Sequence, residues 1–148
     1  MKRNVTRKEF QVPSDLDQVP TASRKVLDFL KPLRLSDACL FDVRLCLEEA
    51  LINAMKYGNE LKKSLDVRLV VEADDEELRM TVEDQGKGFD VKKLKDCTKG
   101  ENRLRECGRG VYLIHQLMDK VEYNPRGNSL LMVKSLRKPV QTGGVYGC

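Results

Sequence analysis

Hydrophobic and polar residues alternate in some segments of the chain and recur at helical spacing in others. The residues from Val5 to Val12 alternate loosely, which predicts an edge strand. After a turn at residues 13–15, a helix is predicted from about Pro20 to Leu30, because proline is tolerated in a first helical turn. Pro32 ends this helix, so the chain opens with a strand followed by a helix.

A second and longer helix is predicted from Ser36 or Asp37, either of which can cap it, to about Tyr57. Gly58 follows as the C-terminal stop, because glycine readily adopts the left-handed conformation that often ends a helix. Apolar residues of this segment recur at the spacing of one helical face: Leu40, Val43, Leu47, Leu51 and Ala54.

Two strands with strict alternation come next. Val67, Leu69 and Val71 share one face, and after an acidic turn at 74–76 the residues Leu78, Met80 and Val82 share another. A glycine-rich loop, a polar segment at about 92–107, a helix over 110–120 and a hairpin of 121–124 and 129–136 follow. This order predicts an α+β fold, a two-layer sandwich in which helices cover one face of a mostly antiparallel sheet.

The length of 148 residues fits one domain, which we expect over residues 1–138, with 139–148 as a disordered tail. No apolar run approaches the roughly 20 residues that span a bilayer, and no signal peptide is evident. The five cysteines are scattered without a C-x-x-C pair, which indicates thiols in a reducing compartment rather than disulfides or zinc. We therefore expect a cytoplasmic protein without a membrane partner.

The net charge of +4 comes from basic residues interleaved with acidic ones, and only 5% of the residues are aromatic. Proteins that bind nucleic acids usually carry a basic stripe with aromatic residues between, so direct nucleic-acid binding is not expected. The lone His115 has no second histidine or carboxylate at ligand spacing, which favours a structural role over metal binding.

Polar residues interrupt the apolar part of the second helix. Glu49 and Asn53 are four residues apart, so they project side by side from the face opposite the leucine stripe. Their apolar neighbours predict partial desolvation, and a buried polar group without a partner costs about 1–3 kcal/mol. A ligand would supply the partner; an ordinary exposed helix face is the alternative.

Asp84 continues the inward-facing phase of the strand that contains Val82, where the loop at residues 85–89 begins. Gly86 and Gly88 let the backbone approach a ligand closely. An inward carboxylate beside bare backbone suits a hydrogen-bond donor such as the exocyclic amine of a base. A tight turn capped by an aspartate is the alternative reading of the same residues.

Gly108, Arg109 and Gly110 open the last predicted helix. A glycine loop that leads into a helix N-terminus presents free N–H groups and a partial positive charge, which suit phosphates. The segment is neither a Walker P-loop nor a dinucleotide-binding fingerprint. A plain glycine N-terminus is the alternative.

In their order and spacing, these three motifs resemble those of the GHKL, or Bergerat-fold, ATPases, which include gyrase, histidine kinases and a heat-shock chaperone. Residues 49–54 (EALINA) resemble the N-box, 84–89 (DQGKGF) the first glycine box, and 108–111 (GRGV) the second. Within this group the chain is most similar to the bacterial anti-sigma factor serine kinases, especially over 110–119 and 121–123. The resemblance covers about 10–136 and implies the Bergerat fold with ATP and Mg²⁺ bound.

The resemblance also implies roles for single residues. Asn53 would ligate Mg²⁺ through its side-chain oxygen, and Asp84 would accept a hydrogen bond from the adenine amino group. Glu49 would be the general base or the carboxylate that orients the attacking hydroxyl. Ser129 stands where the family often has a threonine in the adenine network. Tyr57 departs from the family, which often has a histidine four residues after the asparagine.

The glycine boxes would surround the nucleotide. Gly86 and Gly88 would line the base and the sugar, while Gly108, Arg109 and Gly110 would bind the phosphates. Three basic residues in a short lid are candidates for contacts with the γ-phosphate: Lys99, Arg103 and Arg105.

By resemblance, the chain would phosphorylate a serine or threonine on an anti-anti-sigma protein of the STAS type and would sequester a sigma factor. A homodimer is implied as well. The alternatives are a catalytically silent nucleotide-binding module that only switches partners and the free-standing ATPase domain of a histidine kinase. An ATPase of the gyrase or chaperone kind would need further domains, for which 148 residues leave no room.

Overall fold

The computed structural model describes residues 5–86 and 108–136. Within them lie five strands and three α-helices. The strands are β1 (Thr6–Pro13), β2 (Asp66–Ala73), β3 (Glu77–Glu83), β4 (Lys120–Tyr123) and β5 (Ser129–Ser135). The helices are α1 (Val19–Leu30), α2 (Asp37–Asn53) and α3 (Gly108–Leu117).

All five strands belong to one antiparallel sheet with the order β1-β2-β3-β5-β4, so β1 is an edge strand as predicted. The register pairs Leu69 with Val82 and Val71 with Met80. Residues directly opposite each other on antiparallel strands share a face of the sheet. The alternating apolar residues of β2 and β3 therefore form one continuous face, where the sequence pattern alone suggested two.

The helices pack on this face and bury it. Val26 of α1, Leu47 of α2, Ile114 of α3 and Met80 of β3 are at most 1% exposed. Helix α2 lies between α1 and α3 and contacts both. The predicted α+β sandwich, with an antiparallel sheet and helices on one face, is confirmed.

The ends of the helices agree with the sequence prediction at some positions and differ from it at others. The Ser36 hydroxyl accepts a hydrogen bond from the Cys39 N–H at 3.1 Å, so Ser36 is the N-cap of α2. The α-helix ends at Asn53, and the predicted remainder up to Gly58 is a π-helical turn. Such turns are rare and frequently occur at functional sites. Helix α3 begins at Gly108 rather than at residue 110. It ends at Leu117 rather than at residue 120, because Lys120 already belongs to β4.

Two cysteines within the described residues differ in state. Cys46 is a buried free thiol, and its burial raises its pKa to about 12. Cys39 is disulfide-bonded, which corrects the free-thiol interpretation for this residue. Spacing along the sequence does not reveal pairs that only the fold brings together.

None of the helices in the described part of the chain is long and apolar enough to cross a membrane. Several predictions concern residues outside the described ranges: Gly88, Lys99, Arg103, Arg105 and the tail 139–148.

Candidate functional site

One end of the candidate site lies where β3 ends. Asp84 is 8% exposed and continues the core-facing side of β3, as the alternation predicted. The Gly86 N–H donates a hydrogen bond of 2.8 Å to Asp84 Oδ1. The Asp84 N–H donates to the Asn128 carbonyl (2.9 Å), and Asn128 Nδ2 donates to the Asp84 carbonyl (3.1 Å). Backbone and amide groups thus fix the position of this carboxyl group.

The surroundings of Asp84 alter its acidity. Burial raises the pKa of its carboxyl, while the hydrogen bond from Gly86 opposes that effect; Glu83 adds to the rise and Arg126 reduces it. Burial, together with the nearby Asp84, raises the pKa of Tyr123 to about 12, so this phenol is protonated at neutral pH. A desolvated carboxylate favours a ligand that brings a hydrogen-bond donor.

Gly58 and Gly86 pack against this carboxyl group and against each other. A Cβ atom at Gly58 would overlap the Asp84 carboxyl, and one at Gly86 would overlap the Gly58 carbonyl. Gly58, predicted only as a helix stop, is therefore part of the site as well. We call Gly58, Asp84 and Gly86 the aspartate end.

The other end lies where α2 faces the first turn of α3. A Cβ atom at Gly110 would overlap Glu49 Oε2, so the Glu49 carboxylate lies directly against this turn. Gly108 and Arg109 belong to the same turn. The N-terminus of a helix carries a partial positive charge, which stabilises an anion placed there, such as this carboxylate or a phosphate.

Asn53 is the last residue of α2, one helical turn beyond Glu49. Its Nδ2 atom is buried and has no hydrogen-bond partner among the described residues. A buried unpaired polar group costs about 1–3 kcal/mol and calls for an explanation, such as a bound ion or ligand. The two ends of a side-chain amide exchange places by a half-turn, so Asn53 can present an oxygen there. We call Glu49, Asn53 and Gly110 the helix end.

Oxygen is the ligand atom that Mg²⁺ takes, so Asn53 fits such an ion. No group of three or more His, Cys, Asp or Glu side chains within residues 5–86 and 108–136 could hold a metal ion. An ion at Asn53 therefore needs further ligands from elsewhere, and substrate phosphates and water commonly supply them for Mg²⁺.

A buried lysine joins the elements that form the helix end. Lys134 of β5 is 8% exposed on the core-facing side of the sheet. Its Nζ donates to the Leu117 carbonyl at 2.9 Å and lies 3.6 Å from Asp42 Oδ2. These contacts connect the C-terminus of α3 with α2 and β5, and so restrict how α3 can move over Glu49.

The remaining predicted residues lie apart from the two ends. The register pairs Ser129 with Glu83, which places Ser129 on the face of the sheet away from Asp84. Its predicted contact with a nucleotide stays a prediction, and Asn128 is the residue that lies beside Asp84. Tyr57 is 73% exposed. Glu48 accepts a hydrogen bond of 2.6 Å from the Ser23 hydroxyl of α1, away from the helix end.

Asn59 belongs to the site, although sequence reasoning did not single it out. It is 1% exposed, and its Oδ1 accepts a hydrogen bond of 2.8 Å from the Gln85 N–H, next to Asp84. The only signal in the sequence was a polar residue directly after the helix stop Gly58.

A family model described as the histidine kinase-like ATPase domain matches residues 12–134. The chain belongs to this family. The matched range contains both ends of the site, and the antiparallel sheet with helices on one face is consistent with the histidine kinase-like ATPase fold.

The chain is similar in sequence to several curated proteins that carry the name Serine-protein kinase RsbW. The protein of that name from Oceanobacillus iheyensis is 24% identical over 131 residues, covering 84% of this chain and 83% of the relative. The one from Staphylococcus epidermidis is 31% identical over 105 residues, or 66% of each chain. The one from Staphylococcus aureus is 30% identical over the same length. The chain thus spans just under two thirds of the two staphylococcal proteins.

Proposed function

We propose that this chain binds ATP with Mg²⁺ and transfers a phosphoryl group to a serine or threonine of a partner protein. The observation that carries the proposal is the helix end. There, the buried amide of Asn53 has no partner among the described residues, and Glu49 lies one turn away against the first turn of α3. The names of the relatives, each a serine-protein kinase, support the same activity.

Each residue of the helix end has one task in this proposal. When bound, Mg·ATP supplies the phosphoryl group, and its metal neutralises phosphate charge. Asn53 holds the Mg²⁺ through its side-chain oxygen. Glu49 orients or deprotonates the attacking hydroxyl, while the N–H groups of Gly108, Arg109 and Gly110 bind phosphate oxygens.

The aspartate end binds the base. Asp84 accepts a hydrogen bond from the adenine amino group, and the bare backbone of Gly86 and Gly88 lines the base and the sugar. The absence of side chains at Gly58 and Gly86 supports this assignment, because a Cβ at either would disturb the position of the carboxyl.

We further propose that the phosphorylated partner is a STAS-type anti-anti-sigma protein and that the chain sequesters a sigma factor. A homodimer is part of the same proposal. The motif resemblance supports these partners, together with the shared name of the relatives. A pull-down with ATP and then with ADP identifies the proteins that bind in each nucleotide state.

Replacing Glu49 tests the proposed transfer. In Glu49→Gln we expect nucleotide binding to remain, since Asn53 holds the metal, and transfer to fall by about 10²–10⁴. The assay is phosphate incorporation into a STAS-type partner at saturating Mg·ATP. Glu48→Gln is the matched control, because the Glu48 carboxylate accepts a hydrogen bond from Ser23 on α1 and does not belong to the helix end.

Two outcomes would contradict the proposal. Equal incorporation by the wild type and Glu49→Gln removes Glu49 from the mechanism. If the wild type incorporates no phosphate into any partner that it binds, the chain is a silent module that acts by sequestration.

A further inference from the structure

Asn59 is buried, and both ends of its side-chain amide are paired. Its Oδ1 accepts from the Gln85 N–H at 2.8 Å. Its Nδ2 donates to the Ser14 hydroxyl at 2.9 Å and to the Asp66 carbonyl at 3.1 Å, with the Leu65 carbonyl at 3.4 Å. This saturation contrasts with Asn53 and shows that the fold itself accounts for every contact of Asn59.

The partners of Asn59 come from three separate parts of the chain. Ser14 follows β1, Asp66 begins β2 and Gln85 follows β3, whereas Asn59 itself follows the π-helical turn after α2. The Ser14 and Asp66 bonds anchor the amide to the β1–β2 side of the sheet. The Gln85 bond alone reaches the loop that contains Gly86.

Both segments that contact the Asp84 carboxyl are adjacent to these bonds. Gly58, which directly precedes Asn59, packs against the carboxyl. Gly86, which directly follows Gln85, donates the 2.8 Å hydrogen bond to Asp84 Oδ1. Asn59 is therefore joined to one segment through its main chain and to the other through its Oδ1.

We propose that Asn59 is a positioning residue that sets the orientation of the Asp84 carboxyl and thereby the preference of the site for a base with an exocyclic amine. This inference rests on the proposed nucleotide binding. In this role Asn59 does not contact the nucleotide, because it acts through the Gln85–Gly86 backbone and through Gly58.

A purely structural role would lower stability without changing which base is preferred, so base preference separates the two roles. Ser14→Ala provides the matched control. It removes one bond on the anchoring side of the same amide and leaves the Gln85 bond in place. A readout that responds to Asn59 but not to Ser14 therefore reports on the aspartate end.

The experiment titrates the full chain, with Mg²⁺, against ATP and against inosine triphosphate, in which a carbonyl replaces the amine. All variants are measured at a temperature where unfolding curves show them folded. We expect the wild type to prefer ATP, and Asn59→Ala to bind ATP roughly tenfold or more weakly and to lose most of this preference. Ser14→Ala should keep the wild-type preference. If Asn59→Ala does not fold, Asn59→Ser takes its place, because its hydroxyl keeps a donor at this buried position but is shorter than the amide.

An Asn59 variant that folds and keeps the wild-type preference would overturn the inference, as would an equal loss of preference in Ser14→Ala. A wild type that binds neither nucleotide would overturn the proposed function itself. If the wild type binds ATP and an Asn59 variant binds it equally well, only the positioning role of Asn59 is overturned.

Discussion

The aspartate end and the helix end differ in how their polar groups are paired. At the aspartate end, Asp84 accepts a hydrogen bond from Gly86, and the adjacent Asn59 has protein partners for both ends of its amide. At the helix end, the buried Nδ2 of Asn53 finds none among the described residues. Among the described residues, protein groups thus pair both ends of the Asn59 amide, whereas the buried Nδ2 of Asn53 is left without a partner, as the proposed ligand site would require.

The glycines of the two ends differ in the same sense. Gly86 packs against the backbone carbonyl of Gly58, which cannot move without shifting the chain. Gly110 packs against the far end of the Glu49 side chain, which has rotatable bonds. We therefore expect the aspartate end to be the more rigid and the helix end to be the more adjustable of the two. A rigid end suits recognition of a flat base, and an adjustable one suits a group that is transferred.

The largest effect is expected for Asn53→Ala. Affinity for Mg·ATP should fall by about 100-fold or more, because a metal ligand is lost. The free energy of unfolding without nucleotide should stay constant or rise by about 1 kcal/mol, because an unpaired buried amide is removed. Titration calorimetry with and without Mg²⁺, together with denaturant unfolding, measures both quantities. Unchanged Mg·ATP affinity would end the assignment of Asn53.

Adding a methyl group to each end tests the difference in rigidity. Gly86→Ala should lower the free energy of unfolding by about 1–3 kcal/mol, because the new Cβ overlaps backbone. Gly110→Ala should change it by less than about 1 kcal/mol, since Glu49 can rotate and alanine favours the helix. Denaturant unfolding of both variants gives the comparison. Equal losses of stability would show that the helix end is as rigid as the other.

Asp84→Asn separates binding from stability at the aspartate end. The variant should lose about 1–3 kcal/mol of ATP binding, because asparagine can present its amide nitrogen to the adenine amine. The raised pKa of Asp84 means that its contribution to stability is fully present below the ordinary value of 3.8 and is lost as pH rises through the raised value. At neutral pH the asparagine variant should therefore be as stable as the wild type or more stable.

Unfolding of Asp84→Asn and of the wild type across a pH series, together with ATP titration at neutral pH, checks both statements. A sharp drop in melting temperature with unchanged ATP affinity would make Asp84 a structural cap.

The smallest effect is expected beside Asn59, where Glu60 has a positive φ of 53°. A non-glycine residue in this conformation destabilises the folded state by about 1–2 kcal/mol. A glycine at the same position relieves that strain, but the greater conformational entropy that it gives the unfolded chain lowers the free energy of unfolding by about 0.4–1 kcal/mol. Glu60→Gly should therefore raise the free energy of unfolding by less than about 1 kcal/mol. Glu60→Ala, which keeps the Cβ atom, is the control. A glycine variant less stable than the alanine variant would show that this loop carries no strain.

Periodicity within the sequence predicted the elements and the direction of several side chains. The alternation in β3 predicted that Asp84 faces the core, and helical spacing predicted that Glu49 and Asn53 lie together on α2. The N-cap of α2 was also predicted from neighbouring residues, as either Ser36 or Asp37, and the structure shows that it is Ser36. Such features follow from backbone preferences that act over a few neighbouring residues, so they can be read before the fold is known.

Only the tertiary structure decided what these side chains meet. The strand register placed Asn128 rather than Ser129 beside Asp84, and packing brought Gly58 against the same carboxyl. The hydrogen bonds of Asn59 reach Ser14, which lies 45 residues away along the chain, and Gln85, which lies 26 residues away. Register and packing depend on the burial of the whole apolar face and on the pairing of every buried polar group, and no local pattern contains that information.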